Sequence, residues 1–305
     1  MIKKSLLSFL VLFVIHAAVI RLSPTLGMAT NQWQDNMVKA QQFLYAEDAD
    51  TAMVGTSLSA RILPDSIPSV RSVAFGGCAV EDGLRLILSK PKAPHCVLIE
   101  TNLFFRNGND ELVEKMTRGA MPQIKRWIPS LRECNEPICL LSGLMIKTAG
   151  INAQAAAMSV DTEQLKVSIK RHIVDDKALS ETELTQRMET IKSLIMQLEQ
   201  KGTKPIFFEM PVNQEIYHLK ELEQTRQAVR MAFPNTHYTY LPNDTTTYLT
   251  TDGLHLDYEG QLRYSSFFRK AIMERTIMYN KSVTNIRSDL QPKGVSSKDN
   301  NCPIR

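Results

Sequence analysis

A chain of 305 residues with 43% hydrophobic and 22% charged residues has enough apolar material for one large domain or two small ones, and too much for a disordered chain. Its formal net charge of +4 is small for this length, and no basic patch interleaved with aromatics occurs, so nothing in it argues for a nucleic-acid partner. The cysteines (Cys78, Cys96, Cys134, Cys139 and Cys302) include no Cys-x-x-Cys pair and no histidine partners at zinc spacing, so neither a metal nor a cofactor is expected.

In chain order, the first element is an apolar run from Leu6 to Ile20, broken only by Ser8 and His16, preceded by Lys3 and Lys4 and closed by Arg21. We read residues 1–29 as an uncleaved signal-anchor near the lower length limit for a membrane span. Lys3 and Lys4 would keep the N-terminus cytoplasmic and put the following domain in the periplasm or outside the membrane. A signal peptide cleaved after Ala29, giving a secreted protein, is the alternative. If the domain is exported, Cys134 and Cys139 could form a local disulfide.

Residues 31–44 predict an amphipathic helix, with Trp33, Met37, Ala40 and Leu44 at helical spacing, whose apolar face needs a partner on the domain. Strands are predicted at 51–55, 71–75, 95–101, 204–210 and 237–241, and helices at 79–89, 184–201, 214–232 and 258–277. The helix at 184 has a capping-box start in Ser180-Glu181-Thr182-Glu183 and a stop at Lys201-Gly202. This alternation predicts an α/β fold, a mostly parallel five-stranded sheet with helices on both faces. Residues 103–179 interrupt the pattern and are too long for a loop, so they predict a helical insertion, either a wall of the site or a structural layer away from it. The segment Glu209–Asn213 should reach the site rim. Residues 281–305 are polar and read as a tail outside a domain at 30–280.

Sites in such sheets lie beyond the carboxyl ends of the strands. Gly55-Thr56-Ser57 follows the first predicted strand, Gly76-Gly77 the second, and Glu100-Thr101-Asn102 the third; Asp252-Gly253-Leu254-His255 precedes the last helix. Singly, Ser57 reads more readily as a helix cap, Gly76-Gly77 as a turn, Asn102 as an Asx-turn and Asp252-x-x-His255 as a surface turn. Together, a serine, a histidine and an acid are the groups that activate a hydroxyl nucleophile.

The order of these four segments resembles the SGNH, or GDSL-like, hydrolase family, whose four motif blocks are spread over one domain. Gly55-Thr56-Ser57 stands where that family has Gly-Asp-Ser, with Thr56 replacing the acid. Gly77 matches the second block, Asn102 is the surviving residue of the third, and Asp252 and His255 match the last. The resemblance covers about residues 48–278 and implies a flavodoxin-like three-layer α/β/α fold. It also implies Ser57 as nucleophile, His255 as base and Asp252 as its orienting acid. The backbone N–H groups of Ser57 and Gly77 and the Asn102 amide, pointing toward Ser57 rather than into the core, would form the oxyanion hole. Arg106, four residues past Asn102, is a candidate contact for an anionic substrate, or else pairs with a nearby carboxylate to hold its loop.

The resemblance, with the anchor, implies a serine esterase acting on O-acetyl or other acyl esters of an envelope carbohydrate, or an O-acetyltransferase of exported polysaccharide using the same residues. A non-catalytic polysaccharide-assembly or binding protein with an eroded hydrolase fold is the reading from a different class, and a lipid-directed lipase is motivated only by the anchor. The expected partners are an acylated carbohydrate or other ester substrate, the membrane, and polysaccharide-assembly proteins.

Overall fold

A computed structural model describes residues 2–23, 26–63, 67, 69–150, 152, 155 and 158–289, the last fifteen of these by backbone alone. Five parallel strands form one sheet: β1 (Thr51–Gly55), β2 (Val70–Ala74), β3 (Cys96–Glu100), β4 (Lys204–Phe208) and β5 (Thr239–Tyr240). Their spatial order is β2-β1-β3-β4-β5. This is a doubly wound order, and the chain reverses direction across the sheet at β1, which opens a crevice between the β1 and β3 ends. Each strand end lies within two residues of its sequence-based expectation, and β5 is reduced to the pair Thr239 and Tyr240.

The strands alternate between two cores, as a two-residue period requires. Ala52, Val54, Val97, Ile99 and Phe207 point to one face. There they meet Met37, Ala40 and Phe43 of α2 (Gln32–Tyr45), Val80 and Leu84 of α3 (Val80–Leu88), and Ile191, Ile195 and Leu198. Met53, Leu98 and Phe208 point to the other face, onto Leu58, Ile62, Tyr264 and Phe268. Helices thus cover both faces, and α2 finds on the domain the partner that its apolar stripe requires.

Ahead of this body stands α1 (Ile2–Leu22), 21 residues long and apolar enough to cross a membrane. The insertion is helical: α4 (Asp110–Thr117), α5 (Met121–Trp127), α6 (Pro137–Ala149) and α7 (Thr162–Val174), with single 3-10 turns at Pro129–Leu131 and Glu133–Asn135. Then come α8 (Glu181–Gln200), α9 (Lys220–Ala232) and α10 (Tyr258–Asp289). Ser180 and Glu183 form the expected reciprocal cap of α8.

Three expectations need correction. The helix expected from residue 214 begins at Lys220. Asn213 instead caps a short turn, Gln214–Ile216, and Asp176 of the insertion accepts from the N–H groups of Lys220 and Glu221, a cap supplied from remote sequence. The last helix runs to Asp289, through nine residues that read as tail; residues 290–305, including Cys302, lie outside the described residues. Cys134 and Cys139 are separate thiols rather than a disulfide, and Cys139 donates to Glu133 O at 3.1 Å.

Candidate active site

Ser57 stands two residues beyond the end of β1, at the reversal point of the sheet. The turn that carries it is folded on itself and on β3. Ala60 N–H donates to Thr56 O at 3.0 Å, and Leu58 N–H is directed at Thr56 Oγ1. The remaining donors converge on Glu100, a fully buried residue at the end of β3. Its Oε2 accepts from Thr56 N at 2.9 Å, Ser59 N at 3.0 Å and Ser59 Oγ at 2.6 Å, and Oε1 accepts from Thr56 Oγ1 at 2.7 Å. A carboxyl group has about four acceptor positions, so four donors account for it without a cation. Gly55 is required beneath this cluster, because a Cβ there would lie 2.0 Å from Ser59 Oγ and 2.6 Å from Glu100 Oε2.

In the linear sequence Glu100 stands only as a departure from the third motif block. The available signal was an acid closing an otherwise apolar strand, Cys-Val-Leu-Ile-Glu, beside a sheet position with Thr and Ser. Thr56, standing where the resemblance expects an acid, supplies two of the four donors.

The second segment is held by its own sequence. Thr250 bridges Leu256 in antiparallel fashion, and Thr251 N–H donates to His255 O at 2.8 Å, closing a narrow loop. Within it, Asp252 Oδ1 accepts from Leu254 N at 3.0 Å and His255 N at 2.9 Å, while Oδ2 lies 2.7 Å from His255 Nδ1. One carboxylate therefore folds the loop and fixes the imidazole, which explains the three-residue spacing. Gly253 makes the bend with φ +96°, a left-handed conformation that suits glycine. The loop is supported from outside by Asn213 N–H, which donates to Gly253 O at 2.8 Å.

The two segments, 198 residues apart in sequence, meet at one contact: His255 Nε2 lies 2.9 Å from Ser57 Oγ. With Asp252 on Nδ1, the tautomer with the proton on Nδ1 leaves Nε2 free to accept the serine proton. Burial alone would raise the Asp252 carboxyl, but the hydrogen bonds from the His255 ring, His255 N–H and Leu254 N–H outweigh it and hold the group well below the usual carboxylate range. Half-buried Arg61 adds its charge to Asp252, although burial itself weakens the proton affinity of the guanidinium. Four residues past Ser57, it was not singled out by sequence reasoning.

The N–H of Ser57 has no acceptor among the described residues, although its neighbours Thr56, Leu58, Ser59 and Ala60 are all engaged. Gly77 is similar. Gly76 N–H donates to Asn36 Oδ1 at 2.9 Å, Asn36 Nδ2 donates to Gly76 O at 2.8 Å, and Cys78 N–H donates to Phe75 O. Gly77 N–H is left unengaged among the described residues, on an exposed turn with φ +75°. A Cβ at Gly77 would approach Gln32 Nε2 to 2.6 Å. Phe75 N–H donates to Gly55 O, so this turn and the Ser57 turn leave adjacent strand ends. Burial, with Asp82 nearby, pushes the Cys78 thiol up to about 12.

Asn102 departs from the expectation of an amide pointing away from the core. It is buried, Nδ2 donates to Met210 O at 2.8 Å, and Oδ1 accepts from Met210 N at 2.7 Å. The amide clamps the end of β3 to the end of β4, and its second N–H alone is left for any other acceptor. Arg106 is exposed and forms no ion pair among the described residues; its charge reaches Cys78 of the glycine turn and Glu221. Glu209 is held by Arg226 at 2.7 Å, and Arg226 also donates to Tyr217 O.

The insertion touches the Asp252–His255 loop. Ile169 of α7 packs with Val212, Ile216 and Leu222, against Leu103 and Leu254, and a Cβ on Gly253 would lie 3.3 Å from Ile169 and 3.6 Å from His172. Leu254 sits between Asp252 and His255, so α7 forms one flank of that loop.

No protein-family model and no curated protein matches the chain. Two solved structures are similar to it in chain path. One, from Streptococcus pneumonia and named a candidate platelet activating factor, has 11% identity and a TM-score of 0.43, and the match covers 85% of this chain and 97% of that one. The other, from Bacteroides fragilis and named a candidate acylhydrolase, has 11% identity and a TM-score of 0.40, and the match covers 80% and 99%. At this level of likeness the chemistry rests on the geometry of the site itself.

Proposed function

We propose that the protein is a serine esterase or acyltransferase that splits acyl esters through a covalent acyl-enzyme. The observation that carries this reading is the continuous line from Asp252 through His255 to Ser57, at 2.7 and 2.9 Å. His255 Nε2 removes the Ser57 proton as Oγ attacks the ester carbonyl. The tetrahedral oxyanion is met by the unengaged N–H groups of Ser57 and Gly77. Collapse expels the alcohol, which takes the proton back from His255 and leaves the acyl group on Ser57. A second acceptor, water or a sugar hydroxyl, gives its proton to His255 as it attacks and carries the acyl group away, and His255 returns that proton to the departing Ser57 Oγ.

The substrate class we infer is an O-acetylated or otherwise acylated envelope carbohydrate. What supports it is the apolar N-terminal helix, which suits a domain held outside the cytoplasmic membrane, and the family resemblance set out above. The test is release of acetate from acetylated oligosaccharides and of nitrophenol from p-nitrophenyl acetate. The reading predicts turnover that Ser57→Ala abolishes; turnover equal in both proteins, or in neither, would leave a binding protein on a hydrolase-like fold. Adding an unacetylated sugar separates transfer from hydrolysis by the appearance of the acetylated product.

A further inference from the structure

The insertion carries an apolar surface that the catalytic site does not use. On α6, Ile138, Leu141, Leu144 and Met145 are all exposed and fall on one side of the helix. The opposite side, with Cys139 and Gly143, is buried against the segment that follows α1. Close by, Met121, Ile124, Trp127, Ile128 and Leu131 are exposed as well, and Trp127 is 80% exposed. Monomeric soluble proteins rarely leave a contiguous apolar patch of this extent in water.

The way α1 joins the domain indicates what covers this patch. Met28 N–H donates to Cys139 O at 3.1 Å. A Cβ on Gly143 would lie 1.6 Å from Leu26 O, and one on Gly27 would lie 1.7 Å from Cys134 O. The backbone of residues 26–28 therefore touches α6 at Gly143 and the turn before α6 at Cys134. Higher on α1, His16 Nε2 lies 3.3 Å from Ser130 O, in the turn that follows Trp127. His16 is six residues before the end of α1, which at 1.5 Å per residue is about 9 Å along its axis. A span ending near Leu22 thus brings the 127–131 turn about that far below the membrane surface, the depth at which apolar faces of interfacial helices lie.

The remaining chemistry of the patch fits this depth. α6 has 13 residues, too few to cross a bilayer but suited to lying along one. Thr148, beside the apolar stripe, turns its hydroxyl back onto Leu144 O and Met145 O at 2.9 and 3.0 Å, which satisfies it without water. Exposed Arg126 and Lys147 edge the patch, where anionic headgroups would meet them.

We propose that the α5–α6 face of the insertion is a second membrane contact, embedded in the bilayer interface beside α1, so that the domain is seated on the membrane in one orientation. The inference rests on α1 being a membrane span and is independent of the esterase reading. It places the candidate site near the membrane. The segment locked to α6 runs directly into α2, whose first residue, Gln32, lies beside the glycine turn: a Cβ on Gly76 or Gly77 would come within 2.9 Å of its side-chain amide.

The experiment uses the full chain reconstituted into vesicles of phosphatidylcholine and phosphatidylglycerol, with and without brominated acyl chains. The protein has two tryptophans, so Trp33→Phe leaves Trp127 as the sole emitter and Trp127→Phe leaves Trp33. The expected result is a blue-shifted Trp127 emission quenched severalfold by brominated lipid, with Trp33, packed on the domain core, far less affected. Trp127 emission that is water-like and quenched by aqueous iodide overturns the proposal. So does a blue shift insensitive to brominated lipid, which would indicate self-association. A chain that fails to float with the vesicles removes the span and the proposal together. Should Trp33→Phe disturb folding, 5-fluorotryptophan in the unsubstituted chain gives two resonances, and Trp127→Phe assigns them. Fluorophosphonate labelling of the same vesicles reports the proposed esterase separately.

Discussion

The two turns that meet at the candidate site are built on opposite principles. The Asp252–His255 loop is held by its own residues: one carboxylate bonds two backbone N–H groups and the imidazole within three positions. The Ser57 turn is held from a distance, by a carboxyl group 41 to 44 residues away on the neighbouring strand. A locally closed loop presents its geometry in its spacing. A turn fixed by a remote buttress presents only its serine.

That contrast predicts different consequences for removing the two acids. Asp252→Asn should leave a folded protein whose kcat falls on the order of 10⁴-fold, because an amide at that position favours the wrong imidazole tautomer. Circular dichroism with a steady-state assay checks it; a loss under about tenfold would detach Asp252 from the chemistry. Glu100→Ala should act mainly on folding. It strips the acceptor from four buried donors, each worth about 1–3 kcal/mol when left unpaired, so urea unfolding should show a loss of several kcal/mol. Glu100→Gln keeps one acceptor oxygen and should lose less. If Glu100→Ala unfolds like wild type, the Ser57 turn does not depend on that buttress.

Smaller effects sharpen the comparison. Gly77→Ala forces a left-handed residue and a 2.6 Å approach to Gln32 Nε2. A cost of about 1–2 kcal/mol is expected from the backbone alone, and kcat should fall along with the melting temperature. A substitution that changes stability but not kcat would take Gly77 out of the oxyanion site. Arg106→Gln should raise KM for an anionic acetylated glycan while leaving p-nitrophenyl acetate hydrolysis almost unchanged; equal losses on both would make Arg106 structural.

The smallest effect is on pH dependence. Asp252 is held below its ordinary range, so its stabilising contribution is fully present above the unfolded value of about 3.9 and is lost as pH falls through the lower native value. The melting-temperature gap between wild type and Asp252→Asn should therefore be constant above about pH 5 and narrow in stronger acid. A gap that closes between pH 5 and 7 would contradict the assigned bonding.

The same contrast sets what was legible in the sequence. Strand periodicity and the Asp-x-x-His spacing are local, and the five-stranded parallel sheet and the proximity of Asp252 to His255 follow from them. Glu100 and Arg61 act on partners brought near by the strand order and the return of the chain from residue 250, so neither shows in a linear reading. Asn102 was read as a donor into the cleft because its position after β3 is visible, whereas its bonds to Met210, 108 residues on, are not. The insertion read as helical from its length and composition, but its glycine contacts with the segment after α1 are tertiary.

The central claim is that Ser57 is a nucleophile activated through His255. Intact mass spectrometry after exposure to a fluorophosphonate tests it most directly. The account predicts one adduct per chain, mapped to the peptide containing Ser57, absent in Ser57→Ala and slowed by orders of magnitude in His255→Ala. An unlabelled wild-type chain, or equal labelling of wild type and Ser57→Ala, would contradict it.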